Sequence, residues 1–103
     1  MDKLAKRETS IVTIAGPAQR SWVGNVTLEV IFEHEVLAII KGQKSAKFEI
    51  NNDCRFKIRT ISTAFPTLEV TVSALQSRDT SIQLYLIGGS PENAKLVAKT
   101  TYF

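Results

Sequence analysis

The chain has 103 residues, enough for one domain around one core and too few for a separate catalytic lobe. Hydrophobic residues make up 44% and charged residues 22%, a globular balance that excludes an acidic disordered tail, and no apolar run approaches the roughly 20 residues of a membrane-spanning helix. Thirteen Lys or Arg against ten Asp or Glu leave a formal charge of +3, too small a surplus to imply a nucleic-acid partner by itself.

Residues 1–7, Met-Asp-Lys-Leu-Ala-Lys-Arg, read as a flexible arm, and residues 8–103 as a single β domain. The apolar stretch over residues 11–15 is short and interrupted by Thr13, so it makes no export signal and a cytoplasmic location is expected. Residues 8–15 are the first expected strand, ended by Gly16-Pro17. Residues 21–33 read as a long second strand, with Trp22, Val26, Leu28, Val30 and Phe32 facing the core and Asn25, Thr27, Glu29 and Glu33 opposite. Gly24 supplies a bend or bulge near its start. After a bend at His34-Glu35, a third core-facing series is Val36, Ala38 and Ile40. Lys41-Gly42-Gln43-Lys44 is expected to join it as a hairpin to Ala46, Phe48 and Ile50.

Residues 54–60 alternate most regularly, with Cys54, Phe56 and Ile58 on one side and Arg55, Lys57 and Arg59 on the other. Asn51-Asn52-Asp53 supplies the preceding turn. Pairing Ile50 with Cys54 and Phe48 with Phe56 sets Glu49 across from Arg55, and a slip of one residue would bring Ile50 against Arg55 instead. Beyond Phe65-Pro66, residues 67–74 turn Leu68, Val70, Val72 and Ala74 inward; Ile82, Leu84 and Leu86 mark the next strand, which ends at Gly88-Gly89. Ser90-Pro91-Glu92 has the form of a helix start over residues 91–99, whereas Val97 and the run from Thr100 to Phe103 favour a closing strand. The strand agrees with the alternation elsewhere. Seven or eight strands in this length give an all-β fold, a small antiparallel β-sandwich or a closed β-barrel. Both architectures host many unrelated activities, so function rests on the side chains.

Arg55, Lys57 and Arg59 can approach an anion from adjacent positions along one strand face, either phosphate or a carboxylate-rich protein surface. The competing reading is a solvated face paired across strands with Glu49 and Glu69. Nucleic acid also needs rings between the cations to stack bases, and Phe48 and Phe56 fall on the core side. Single-stranded nucleic acid is therefore an alternative and not the first expectation. Cys54, the only cysteine, excludes an intrachain disulfide and a site of several thiolates and reads as a core thiol.

His34 is the single histidine, flanked by Glu33 and Glu35, and would have to serve any metal site or any small hydrolase. No spacing supplies the further ligands, nucleophile or oxyanion donors that either needs. Gly88-Gly89-Ser90-Pro91 lacks the glycine-lysine-hydroxyl pattern of a phosphate loop and reads as a turn. No cofactor or metal is expected. The first expectation is a non-catalytic structural, protein-binding or assembly domain whose strand edges meet a protein partner or another copy of itself. Its candidate interface residues are Val23 and Ile31 on the less apolar side of the second strand, with Arg55, Lys57 and Arg59 nearby.

Overall fold

The computed structural model describes residues 8–21, 24, 26–61 and 65–103. The expected arm, together with Trp22, Val23 and Asn25, lies outside the described residues. Eight strands follow in chain order: β1 (Ser10–Ala15), β2 (Thr27–Phe32), β3 (Glu35–Lys41), β4 (Ser45–Ile50), β5 (Cys54–Ile61), β6 (Glu69–Ala74), β7 (Thr80–Ile87) and β8 (Lys95–Tyr102). They form two four-stranded sheets, ordered β4-β1-β7-β8 and β3-β2-β5-β6. The sheets pack as a sandwich in which each keeps two edges, so the barrel alternative falls away.

Alternation along each strand sends one side chain in two into the layer between the sheets. Val12, Ile14, Ile82 and Leu84 enter it from the first sheet; Leu28, Val30, Phe56 and Ile58 enter from the second, and all are 0 to 1% exposed. Every strand pair is antiparallel except β1 with β7, which run parallel with Val12 opposite Thr80 and Ile14 opposite Ile82. That pair departs from the wholly antiparallel expectation. It arises because β1 inserts between β4 and β7, pairing both of its backbone edges.

The two expected hairpins around β4 are crossings between sheets. β4 pairs with β1, setting Val12 opposite Phe48 and Ser10 opposite Ile50, while β5 pairs with β2 and β6. Phe48 and Phe56 do meet, but across the core and not as ladder neighbours: their rings stack at 5.7 Å with 21° between planes. Glu49 therefore does not face Arg55. It points from the outer side of the first sheet, where Thr9 Oγ1 donates to Glu49 Oε2 at 3.1 Å.

Gly16 and Gly42 tie the connection from β1 to β2 to the crossing from β3 to β4. The Gly16 N–H donates to the Lys44 carbonyl at 2.8 Å, and the Gly42 N–H to the Val26 carbonyl at 2.8 Å. A Cβ on Gly16 would overlap the Gly42 carbonyl oxygen, so the backbone approach itself requires glycine there.

The last element is the closing strand, and the helix over residues 91–99 does not form. Ser90 precedes a single 3-10 turn over Pro91–Asn93, and β8 follows it, paired with β7 along its whole length. Leu96 turns inward, and Lys95, Val97 and Lys99 face out.

β3 departs most from expectation. The ladder with β2 shifts after Val30, which faces Ala38, so that Ile31 faces Val36 and Leu37 becomes the extra residue of a bulge. The bulge reverses the alternation at this end of the strand. Ile40 is buried and Ala38 half-buried as expected, but Val36 lies on the outer face at 48% exposure.

Candidate binding surface

The outer face of the second sheet carries the basic residues of β5. In register, Arg55 lies opposite Ser73, Lys57 between Ile31 and Thr71, and Arg59 between Glu29 and Glu69. Those two carboxylates engage Arg59. Its Nη2 is 3.0 Å from Glu29 Oε1, its Nε donates to the same oxygen at 3.1 Å, and its Nη1 is 3.8 Å from Glu69 Oε2. A guanidinium held between two carboxylates is a poor anion receptor, because its donors and its charge are already committed. Arg55 and Lys57 remain exposed and, with Ile31, Glu33 and His34, line a shallow depression of about 220 Å³. Val23 lies outside the described residues.

The edge next to that face is β3. Val36, Leu37 and Ile39 are exposed at 48, 44 and 48%, and β3 has a ladder partner on one side only. An edge strand with exposed apolar side chains and unpaired backbone groups is a template for another strand. A two-residue turn, Glu33-His34, leads into it, with φ of 50° and 73°. Positive φ at both central positions defines the type I′ hairpin turn, which favours Asn-Gly. Here two residues with full side chains occupy the left-handed region, at a conformational cost.

Between β3 and β4 the sandwich opens into a cleft of about 680 Å³. Phe32, Phe48 and Phe56 form its aromatic floor, with the Phe32 and Phe56 rings 5.7 Å apart, and Leu37 enters from the bulge. Its rim carries Glu33, Glu49 and Asp53 against a single lysine, Lys47. The cleft is thus locally acidic on a chain whose formal charge is +3. Cys54 lies in its wall, where its thiol donates to the Asn52 carbonyl at 3.2 Å. Burial, then the negative charges of Asp53 and Glu33, push the thiol pKa upward. That keeps the proton on sulfur, the reverse of what a nucleophilic cysteine needs. No hydrogen bond joins His34 to Cys54 among the described residues.

The outer face of β7 and β8 carries a second apolar group. Tyr85 lies opposite Val97 and Ile87 opposite Lys95, while Gln83 faces Lys99. Arg20 Nη2 donates to the Gly88 carbonyl at 2.9 Å just beyond the end of β7, bringing a further positive charge to that end.

Of these residues, Ile31, Arg55, Lys57 and Arg59 were expected at a surface. Leu37, Ile39 and Val97 are surface positions that the sequence does not single out. The signal for β3 was its unbroken run Val36-Leu37-Ala38-Ile39-Ile40, which is too apolar for one face of a strand and had to leave some members outside. Comparison with protein-family models, curated proteins and solved structures finds no match for this chain. Among the described residues, no helix is long and apolar enough to cross a membrane, and no three or more His, Cys, Asp or Glu side chains group to hold a metal ion.

Proposed function

We propose that this domain is a non-catalytic protein-binding or assembly module that recruits a partner along the β3 edge. The observation that carries the reading is the edge itself: three large apolar side chains, Val36, Leu37 and Ile39, stand exposed on a strand paired on one side only. Strand addition there would satisfy backbone donors and acceptors while covering apolar surface, so directional and non-directional terms act together. The strained Glu33-His34 turn, which presents this edge, adds support, since strained backbone concentrates at functional sites.

Light scattering across a concentration series tests the self-assembly form of this reading. Val36→Lys and Ile39→Lys alter exposed side chains and leave the core untouched, so both variants should fold and lose any concentration-dependent rise in mass. A rise unchanged in both would place the contact elsewhere.

A second reading has its own observation. Arg55 and Lys57 share the depression with Ile31, His34 and a single carboxylate, Glu33, so two cations face one acid, which suits an anionic group attached to an apolar body, such as a carboxylate on an acidic peptide. Arg55→Glu with Lys57→Glu should abolish binding of such a peptide at low salt; affinity unchanged across ionic strengths would remove this reading.

A further inference from the structure

The two sides of the sandwich close differently. At one, β8 packs on β6, and Tyr102 Oη donates to the Ser73 carbonyl at 3.1 Å across the join. At the other, β3 and β4 are linked through the turn at Gly42, and the sheets part toward the far ends of these strands, where the cleft of about 680 Å³ opens. That volume falls within the roughly 300–1,000 Å³ of sites that hold small organic ligands.

The floor of the cleft is apolar and still reachable. Phe32 and Phe48 are half-buried above the buried Phe56, and Leu37 is 44% exposed at their side. A ligand laid on this floor removes hydrocarbon from water and meets the negative faces of phenyl rings.

The charge that reaches the floor is negative. Lys47 and Glu49 alternate together to the outer side of the first sheet, where their signs oppose each other. Glu33 and Asp53 remain, and among the described residues no salt bridge engages either. Asp53 Oδ1 accepts from the Gln76 N–H at 2.8 Å, a neutral donor that leaves the carboxylate charge in place. Both charges are felt inside the cleft wall, since Asp53 and Glu33 each help to hold the Cys54 thiol protonated. Arg55, the nearest cation on the outer face of the second sheet, makes no ion pair with Glu33.

We propose that the cleft binds a small organic cation with an apolar body, its charge between Glu33 and Asp53 and its body on the rings of Phe32 and Phe48. A weakly hydrated charge, such as a quaternary ammonium, suits this combination because ring faces and carboxylates both attract it at little cost in lost hydration. An inorganic cation would find too few oxygens to replace its water, and an anion would meet two carboxylates. The site lies on the other side of β3 from Val36 and Ile39, so it is separate from the assembly reading above.

Nuclear magnetic resonance titration of the full chain tests the proposal with three probes of similar size at constant ionic strength: benzyltrimethylammonium, neutral benzyl alcohol and anionic benzenesulfonate. The cation should move the ring signals of Phe32 and Phe48 and the amide of Cys54, with an affinity about tenfold above that of benzyl alcohol. Benzenesulfonate should produce no saturable shift there. Glu33→Gln with Asp53→Asn keeps size and hydrogen-bonding atoms, and thermal unfolding by circular dichroism confirms its fold. This variant should bind the cation no better than benzyl alcohol, whose own affinity stays as in the wild type. Ile39→Lys, which spoils the β3 edge, should bind the cation like the wild type, so loss of self-association and loss of cation binding are read apart. Equal affinity for cation and alcohol, a cation affinity unchanged in the double variant, or shifts confined to residues outside the cleft would each overturn the proposal.

Discussion

The Phe48 ring stacks on the Phe56 ring at 5.7 Å although their strands belong to different sheets. The pair joins the layers at the floor of the cleft. Phe56 is 1% exposed, so Phe56→Ala should cost about 3–5 kcal/mol, whereas Phe48→Ala, at a half-buried position, should cost less. Urea denaturation of both single variants and the double variant should yield a coupling of about 0.5–1.5 kcal/mol. Strictly additive losses would show that the ring contact contributes nothing beyond burial.

The Glu33-His34 turn predicts a gain in stability. Replacing the pair by Asn-Gly relieves two left-handed residues and should raise the unfolding free energy by about 1–2 kcal/mol, seen as a higher urea midpoint at unchanged slope. No gain would mean that surrounding contacts already compensate the strain.

The three basic residues of β5 should separate by role. Arg59→Gln is expected to lower stability by about 1 kcal/mol at low salt and less at high salt, because it breaks the half-exposed pair with Glu29 and Glu69. Arg55→Gln and Lys57→Gln should each stay within about 0.5 kcal/mol of the wild type. Equal losses at all three positions would assign the whole stripe to folding.

The thiol of Cys54 should react late. Because its folded pKa is raised, chiefly by burial, the pH profile of iodoacetamide alkylation should have its midpoint above that of the unfolded chain, and Asp53→Asn should move it part of the way back. The unfolded chain gives up this proton first. The associated stabilisation is thus complete below the unfolded pKa and lost as pH rises through the folded one. A midpoint equal to that of the unfolded chain would contradict the assignment.

The strands were legible where one face is apolar and the other polar, as in Cys54–Ile61 and Thr80–Ile87. Their pairing was not. In a sandwich, the inward residues of both sheets share one core, so Phe48 and Phe56 show the same alternation whether their strands are ladder neighbours or face each other across it. The face of β3 was hidden for another reason. A bulge at Leu37 is a local change of one residue in the count, and five consecutive apolar residues conceal it from any period-two reading. The basic stripe was visible as a face, but the engagement of Arg59 depended on Glu29, thirty positions earlier and beside it only through the β2–β5 ladder.

The parallel register of β1 with β7 bears on biosynthesis. When residues 45–50 have emerged, β1 can pair with β4 on one side, but its other backbone edge has no partner until residues 80–83 are made. At ribosomal speeds of about 5–20 residues per second that edge stays open for on the order of seconds. Meanwhile β2, β3, β5 and β6 can complete their own sheet, with an inner surface of Leu28, Val30, Phe56, Ile58 and Val72 that only β1 and β4 are present to cover. A holdase acting on this protein would therefore engage nascent chains that have passed Ala74 and not yet reached Ile87.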